Sequence, residues 1–482
     1  MTTTEANSPL GQIPLCVDLD NTLLRTDLLF ESFVAALKRH PTSVLLTPFW
    51  LLKGRAFLKQ QIARRGGACV RDLPIRDELL EFLRVQRRSG RRLVLVSAAA
   101  QPLASVVGER LDLFDEVLGS NGTENLKGPR KARLLEEKFG RGGFDYIGDS
   151  RSDFAVWRSA RHALVVSDRP RFVDAIRSIV PVEAVFRRSH GKLKTWMNAL
   201  RLHQWSKNLL VFVPVLTSHR LFENAVLFHG FVAFFSFSLF CSGMYLVNDL
   251  VDLEADRRHE TKRLRPLASG ELSIASAIVS APLLLIAGLA LASLGGFLLM
   301  LCLGAYGAAS LTYTLWFKRV VMLDVVVLAC LYSVRLFAGG AATGIYCSEW
   351  LLAFSVFFFF CLATVKRYSE LRTLPSTDES PAPGRGYLRS DLEVISALGS
   401  SSGLISVLVL ILYIMSPEVR LLYHHRLVLL LLCPLFLYWT ARIWFKAHRG
   451  EVPEDPVVFA LSDRTSYFTG ALTALVLYVA TI

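Results

Sequence analysis

The chain has 482 residues, and its composition is 52% hydrophobic with a formal net charge of +13. The apolar residues crowd the second half in runs approaching the roughly 20 residues that cross a bilayer core, which excludes a wholly soluble protein. In such a chain a basic balance reflects Lys and Arg in cytoplasmic loops, so no nucleic-acid partner is expected.

No basic stretch followed by an apolar core opens the chain, so no cleavable signal is expected and the N-terminal domain is placed in the cytoplasm. The eight cysteines form no CxxC pair and sit mostly in apolar runs, as small core residues do. Residues 1–182 read as a soluble α/β domain. Its short apolar runs, Leu15-Cys16-Val17 and Leu93-Val94-Leu95-Val96, have strand length and lead into polar loops, as buried parallel strands do. Four polar clusters follow such runs in order: Asp18-Leu19-Asp20-Asn21-Thr22, then Ser97, then Lys127-Gly128-Pro129-Arg130-Lys131, then Gly148-Asp149-Ser150-Arg151-Ser152-Asp153. Open α/β sheets place their sites at the carboxyl ends of strands.

This arrangement resembles the haloacid dehalogenase superfamily of aspartate-nucleophile phosphatases over about residues 11–182. The resemblance implies a Rossmann-like α/β fold with a helical cap at about 27–83. It also implies Asp18 as nucleophile, Asp20 as general acid and base, and magnesium held by Asp18, the Asp20 carbonyl and Asp149, with Asp153 supporting. Ser97 and one lysine, Lys131 or Lys127, would grip the phosphate.

Residues 183–204 form a basic linker with Arg187, Arg188, His190, Lys192, Lys194 and Arg201, suited to anionic headgroups or to solvent. From 205 to 482 an all-α membrane domain is expected. Its apolar segments fall at about 206–218, 225–247, 274–293, 296–316, 324–345, 350–365, 396–415, 425–442 and 467–482, giving nine crossings. Lys and Arg concentrate on one set of loops, which places the N-terminus inside and the C-terminus outside; the expected location is the cell inner membrane. Pro375 to Gly386 reads as an inner loop.

At the inner end of the second segment stands Asn248-Asp249-Leu250-Val251-Asp252-Leu253-Glu254-Ala255-Asp256. Asp249, Asp252 and Asp256 at i, i+3 and i+7 share a helix face within an arc of roughly 60° and a span of about 10 Å. Like charges so placed repel, and a divalent cation bridging them to a pyrophosphate removes that cost.

With Lys262, Arg265-Pro266 and Ala268-Ser269-Gly270, this run resembles the first aspartate motif of the UbiA superfamily of intramembrane prenyltransferases. The resemblance implies a nine-helix bundle and Mg2+. Where that family carries a second aspartate motif, this chain reads Lys366-Arg367-Tyr368-Ser369-Glu370-Leu371. Together with Arg201-Leu202-His203-Gln204-Trp205-Ser206-Lys207-Asn208, this resembles the polyprenyl-phosphate (decaprenyl-phosphate) phosphoribosyltransferase branch. There the donor is phosphoribosyl pyrophosphate and the acceptor a polyprenyl phosphate lipid. Lys207, Asn248, Lys262, Arg265, Arg335, Lys366 and Arg367 become the candidate substrate-binding residues, and Asp324 with Arg335 an inward charged pair. The fused domain would remove the 5-phosphate of the product. An aromatic or quinone-precursor prenyltransferase is the alternative, a transporter or lipid-binding scaffold a third reading, and a homo-oligomer is left open.

Overall fold

The protein is described by a computed structural model for residues 13–40, 42–66, 72–121, 125–187, 191–373, 385–452, 456–460 and 463–482. The expected Pro375–Gly386 loop lies outside these residues up to position 384, as does Cys69. The chain forms two compact units. One comprises Met1–Leu200 with Leu246–Ser280, the other Arg201–Tyr245 with Ala281–Ile482. The aspartate run lies on Leu246–Ser280, the segment that groups with the first unit.

In the first unit six parallel strands, β1 (Leu15–Asp18), β2 (Leu93–Ala100), β3 (Glu116–Ser120), β4 (Asp145–Gly148), β5 (Ala163–Val166) and β6 (Val182–Phe186), lie in the order β3-β2-β1-β4-β5-β6. Val17 pairs with Leu95 on one side and Ile147 on the other. Strand side chains alternate between faces. Leu15 and Val17 enter one core with Leu93, Leu95 and Ile147, while Cys16 enters another with Val94, Val96, Tyr146 and Trp157. Burial on both faces is why these strands are continuously apolar. Because the chain leaves β1 toward β2 in one direction and β4 in the other, the carboxyl end of β1 is the crevice of the sheet.

Between β1 and β2 the helices Leu28–Arg39, Ser43–Leu52 and Arg55–Gly66 form the expected cap. The helix Asp77–Arg88 instead packs Leu79 and Leu83 into the sheet core. The domain also outruns its expected end at 182: Glu183 to Phe186 complete β6, with Phe186 buried, so the linker starts later. In that linker Lys192 and Lys194 are exposed on the helix Lys192–Ala199.

Among the described residues seven helices are long and apolar enough to cross a membrane: Asn224–Val251, Ile274–Gly295, Phe297–Leu315, Leu323–Thr343, Glu349–Arg372, Arg389–Met415 and Arg426–Arg449. The protein is a multi-pass membrane protein. The other two expected crossings are not among these seven. Segment 206–218 folds as the 3-10 stretch Leu202–Phe212 and the short helix Val213–Thr217, too few residues for a bilayer core. The last is a helix, Arg464–Thr481, of 18 residues and lower apolar content. On Ile274–Gly295 the exposed Val279, Leu283, Ile286 and Leu294 make an outward apolar stripe, as lipid-facing helices require.

Candidate active sites

Directly after β1 the residues Leu19–Leu23 form one wide helical turn with Asn21 at φ 58, a left-handed conformation that Asn tolerates. Arg76, buried, fixes this turn by donating from Nε to the Thr22 carbonyl at 3.1 Å. The turn brings both aspartates to one cavity of about 370 Å³, which is also lined by Asp27, Lys59, Lys127, Lys131, Asp149 and Asp153.

Lys131, on the helix Pro129–Phe139, donates to Asp18 Oδ1 at 2.7 Å and to the Tyr146 hydroxyl at 2.9 Å. Tyr146 in turn donates to Asp153 Oδ1 at 3.0 Å. Asp153 Oδ2 accepts from Ser150 N at 3.0 Å and Ser150 Oγ at 2.8 Å, which steadies the loop carrying Asp149. Thr22 Oγ1 lies 3.3 Å from Asp18 Oδ2 and 3.4 Å from Asp149 Oδ1. Asp18, Asp149 and Asp153 each offer an oxygen within 4.8 Å of the others. This all-carboxylate donor set fits a hard cation such as magnesium.

Asp20 accepts from Leu28 N at 2.9 Å and from Ser97 Oγ at 3.2 Å. Burial, with Asp27 nearby, pushes its carboxyl up to about 7. Asp18 is raised by burial to about 6, against the pull of Lys131. Burial opposes the charge of Lys131, yet Asp18 and Asp153 outweigh it and its pKa rises. The two lysines are therefore distinguished: Lys131 is the buried partner of Asp18, whereas Lys127 is exposed at the cavity wall. Ser97 is buried and turned to Asp20 and to Ala99 N at 2.9 Å. Sequence reading missed Lys59 on the cap, whose ammonium donates to the Ala98 carbonyl at 2.6 Å and to Asn125 Oδ1 at 3.0 Å. Burial lowers its pKa, with Asp20 and Asp27 acting the other way.

The second constellation stands at the end of Asn224–Val251. Asp252 stands at the N-cap position of the following helix Leu253–Arg258 without a side-chain capping bond, and its N–H donates to the Asn248 carbonyl at 2.9 Å. Asp249 and Asp256 are both buried. One Arg265 guanidinium reaches both, 2.7 Å from Asp256 Oδ2 and 3.4 Å from Asp249 Oδ1. Even so, burial raises the Asp256 pKa. Two buried carboxylates that share one cation form a hard-oxygen set of the kind that suits magnesium with phosphate. Lys262 starts the turn Lys262–Leu264 and is half-buried. Arg257, next to Asp256, donates to Glu31 Oε2 at 2.9 Å and to the Ala268 carbonyl at 3.1 Å; both partners of the ion pair are 5% exposed. Glu31 lies in the first turn of Leu28–Arg39, whose Leu28 N–H is bonded to Asp20.

The third constellation lies in the helical bundle. The expected Asp324–Arg335 pair does not form. Eleven residues apart on Leu323–Thr343, the two are separated by about 16 Å of helix rise. Asp324 instead pairs with Arg367 at 2.6 Å, and Arg367, fully buried, also meets Glu370. Arg335 donates from Nε to Asn208 Oδ1 at 2.9 Å and from Nη2 to the Tyr306 hydroxyl at 3.0 Å. Lys207 is buried, with its ammonium 5.8 Å from the Tyr332 ring centre. Lys366 is half-buried. The charge of Arg367 is thus already balanced within the protein, whereas Lys366 has the exposure a ligand-binding cation needs.

Comparison with known proteins assigns both regions. The UbiA prenyltransferase family matches residues 210–462, and the haloacid dehalogenase-like hydrolases match residues 15–158. An uncharacterized protein, y4nM, of Sinorhizobium fredii is 37% identical over 474 residues, 96% of this chain and 90% of its own. The nodulation protein NoeC of Azorhizobium caulinodans is 35% identical over 272 residues, 56% of this chain and 88% of its own. The decaprenyl-phosphate phosphoribosyltransferase of Corynebacterium glutamicum is 36% identical over 179 residues, covering 36% of this chain and 54% of its own length.

Proposed function

Because this chain belongs to the UbiA prenyltransferase family, we propose that its membrane domain transfers 5-phosphoribosyl from phosphoribosyl pyrophosphate to a polyprenyl phosphate. The observation that carries this reading is an asymmetry of charge. Asp249, Asp252 and Asp256 supply one acidic cluster, while the end of Glu349–Arg372, where the family resemblance leads one to expect a second aspartate motif, is Lys366-Arg367. The name of the corynebacterial relative supports the same chemistry.

Magnesium bound by Asp249, Asp252 and Asp256 would supply charge neutralisation for the departing pyrophosphate. Arg265, which holds Asp249 and Asp256 together, is placed in sequence to contact the same diphosphate, with Asn248 and Lys262 beside it. Lys207 and Lys366 bind the remaining phosphates as point charges. A lipid phosphate oxygen then forms the new bond to C1 of the ribose as the C1–pyrophosphate bond breaks; positive charge develops on the ring and negative charge on the departing pyrophosphate, and these cationic groups stabilise the latter. Arg335 and Arg367, each buried among its own partners, hold the helices that present them.

The fused domain then removes the 5-phosphate of the lipid product. Asp18 attacks phosphorus, Asp20 gives its proton to the leaving alcohol, and Lys131 stabilises the transferring group. Asp20 returns to work as base when water cleaves the aspartyl phosphate, releasing inorganic phosphate and regenerating Asp18. Magnesium at Asp18, Asp149 and the Asp20 carbonyl, supported by Asp153, would neutralise phosphate oxygens. Both sites face the cytoplasm in this reading.

The test is incubation of purified protein in lipid with polyprenyl phosphate and radiolabelled phosphoribosyl pyrophosphate. Label is expected to move into the organic phase. A protein that ignores this donor and consumes prenyl diphosphate with an aromatic acid would carry out the alternative reaction.

A further inference from the structure

The cap carries a surface that catalysis does not explain. The helix Ser43–Leu52 has sequence SVLLTPFWLL, and at its end Phe49, Leu51 and Leu52 are 64%, 52% and 85% exposed. Ten residues are too few to cross a bilayer, and an apolar segment of this length is a core helix or an interfacial one. Its exposed end excludes the core. An exposed apolar cluster on an α/β domain marks an interaction surface.

The charge around it identifies the partner. From Ser32 to Arg71 the chain contains eight Lys and Arg, namely Lys38, Arg39, Lys53, Arg55, Lys59, Arg64, Arg65 and Arg71, and no Asp or Glu. Of these, Lys38, Arg39, Lys53 and Arg64 are exposed. A purely catalytic need for cations ends at Lys59, which enters the phosphatase cavity. Apolar side chains flanked in sequence by basic ones, without an intervening acid, match an anionic membrane surface: the apolar groups enter the headgroup boundary and the cations pair with lipid phosphates. The chain is itself a multi-pass membrane protein, so this surface is available at high effective concentration. Leu51 lines the phosphatase cavity as well as the exposed cluster, so the apolar surface is continuous with the catalytic opening.

We propose that the cap tip formed by Phe49, Leu51 and Leu52 inserts into the anionic bilayer surface and opens the phosphatase cavity onto phosphate groups carried by lipids. The docking stands on the cap alone; that the phosphate is lipid-borne rests on the phosphatase reading above.

The test uses the full chain in proteoliposomes of phosphatidylglycerol and phosphatidylethanolamine with radiolabelled lipid. A photoreactive benzophenone amino acid is placed at Leu52, and in a second protein at Glu81, whose side chain is 59% exposed on another helix of the same domain. Illumination is expected to attach labelled lipid at position 52 and not at 81. Adducts from position 52 to this chain or to a second copy, or lipid adducts equal at both positions, overturn the docking. In parallel, Leu52→Asp is expected to slow hydrolysis of phosphatidic acid in the vesicles about tenfold while leaving hydrolysis of soluble p-nitrophenyl phosphate unchanged. Equal loss on both substrates, or loss on neither, overturns the lipid-facing role. A wild-type protein that hydrolyses neither compound defeats the phosphatase reading, and the photoreaction still decides the docking.

Discussion

Replacing Lys131 with Met separates the two lysines that sequence leaves equivalent. Lys131 is 3% exposed, donates to Asp18 at 2.7 Å and lies 3.9 Å from Asp153. At an effective dielectric near 20, an ion pair at that separation is worth on the order of 6 kcal/mol, most of it offset by desolvation. Met fills a similar volume but leaves Asp18 and Asp153 as buried like charges without their counter-ion. Removing one partner of a buried pair costs about 3–5 kcal/mol. The lower end applies because the Asp18 side chain, 10% exposed, opens onto the cavity. About 3 kcal/mol corresponds to roughly a hundredfold greater opening of the unit. Hydrogen–deuterium exchange of the full chain in nanodiscs, followed by peptide mass spectrometry, reads this directly. Amides of β1 and β4 are expected to exchange on the order of a hundred times faster in Lys131→Met, with little change in Lys127→Met, whose side chain is exposed. Phosphatase activity should vanish in the first variant, and Lys131→Arg should restore protection better than activity. Unchanged protection in Lys131→Met, or the larger loss in Lys127→Met, would refute the assignment of Lys131 as the counter-charge of Asp18.

Other expectations follow from the remaining sites. Asp249→Ala should abolish transfer, measured as label entering the lipid phase, while phosphatase activity on a soluble ester persists. Lys366→Gln should raise the apparent KM for phosphoribosyl pyrophosphate several-fold with the protein still inserted; Arg367→Gln, which leaves Asp324 buried without its cation, should instead lower thermal stability by about 3 kcal/mol or more. Glu31→Gln strips the charge from the buried partner of Arg257 and should loosen residues 253–268, read as faster amide exchange there, with β4 unaffected.

The parts that sequence made legible share a cause: their chemistry is local. Strand-length apolar runs ending in Asp18, Ser97 and Gly148-Asp149 could be read because a buried parallel strand has no polar positions, so a polar residue at its end stands out. The aspartate run was visible because carboxylates at the end of an apolar helix are costly. Partnerships between distant segments were not legible. Arg367 and Asp324 are 43 positions apart in number, and nothing in either neighbourhood marks the other. Asp324 was assigned to Arg335 because both lie on one helix, but eleven residues of rise keep them apart. Lys59 was lost in a basic stretch where no spacing singles it out. Nothing in the sequence around Glu31 or Arg257 marks one as the partner of the other, and only the fold buries them together. Seven of the nine expected crossings are long apolar helices; at the two ends of the membrane domain apolar composition is present but helix length or hydropathy is lower.

The central claim is that one chain makes a phosphoribosyl lipid and then dephosphorylates it. Thin-layer separation of the lipid products formed from polyprenyl phosphate and radiolabelled phosphoribosyl pyrophosphate tests it most directly, comparing wild type with Asp18→Asn. The wild type is expected to yield the ribosyl lipid lacking its 5-phosphate, and the variant to accumulate the phosphorylated lipid at an equal rate of label incorporation. Identical products from the two proteins would contradict the coupled reaction, and no labelled lipid from either would contradict the transfer itself.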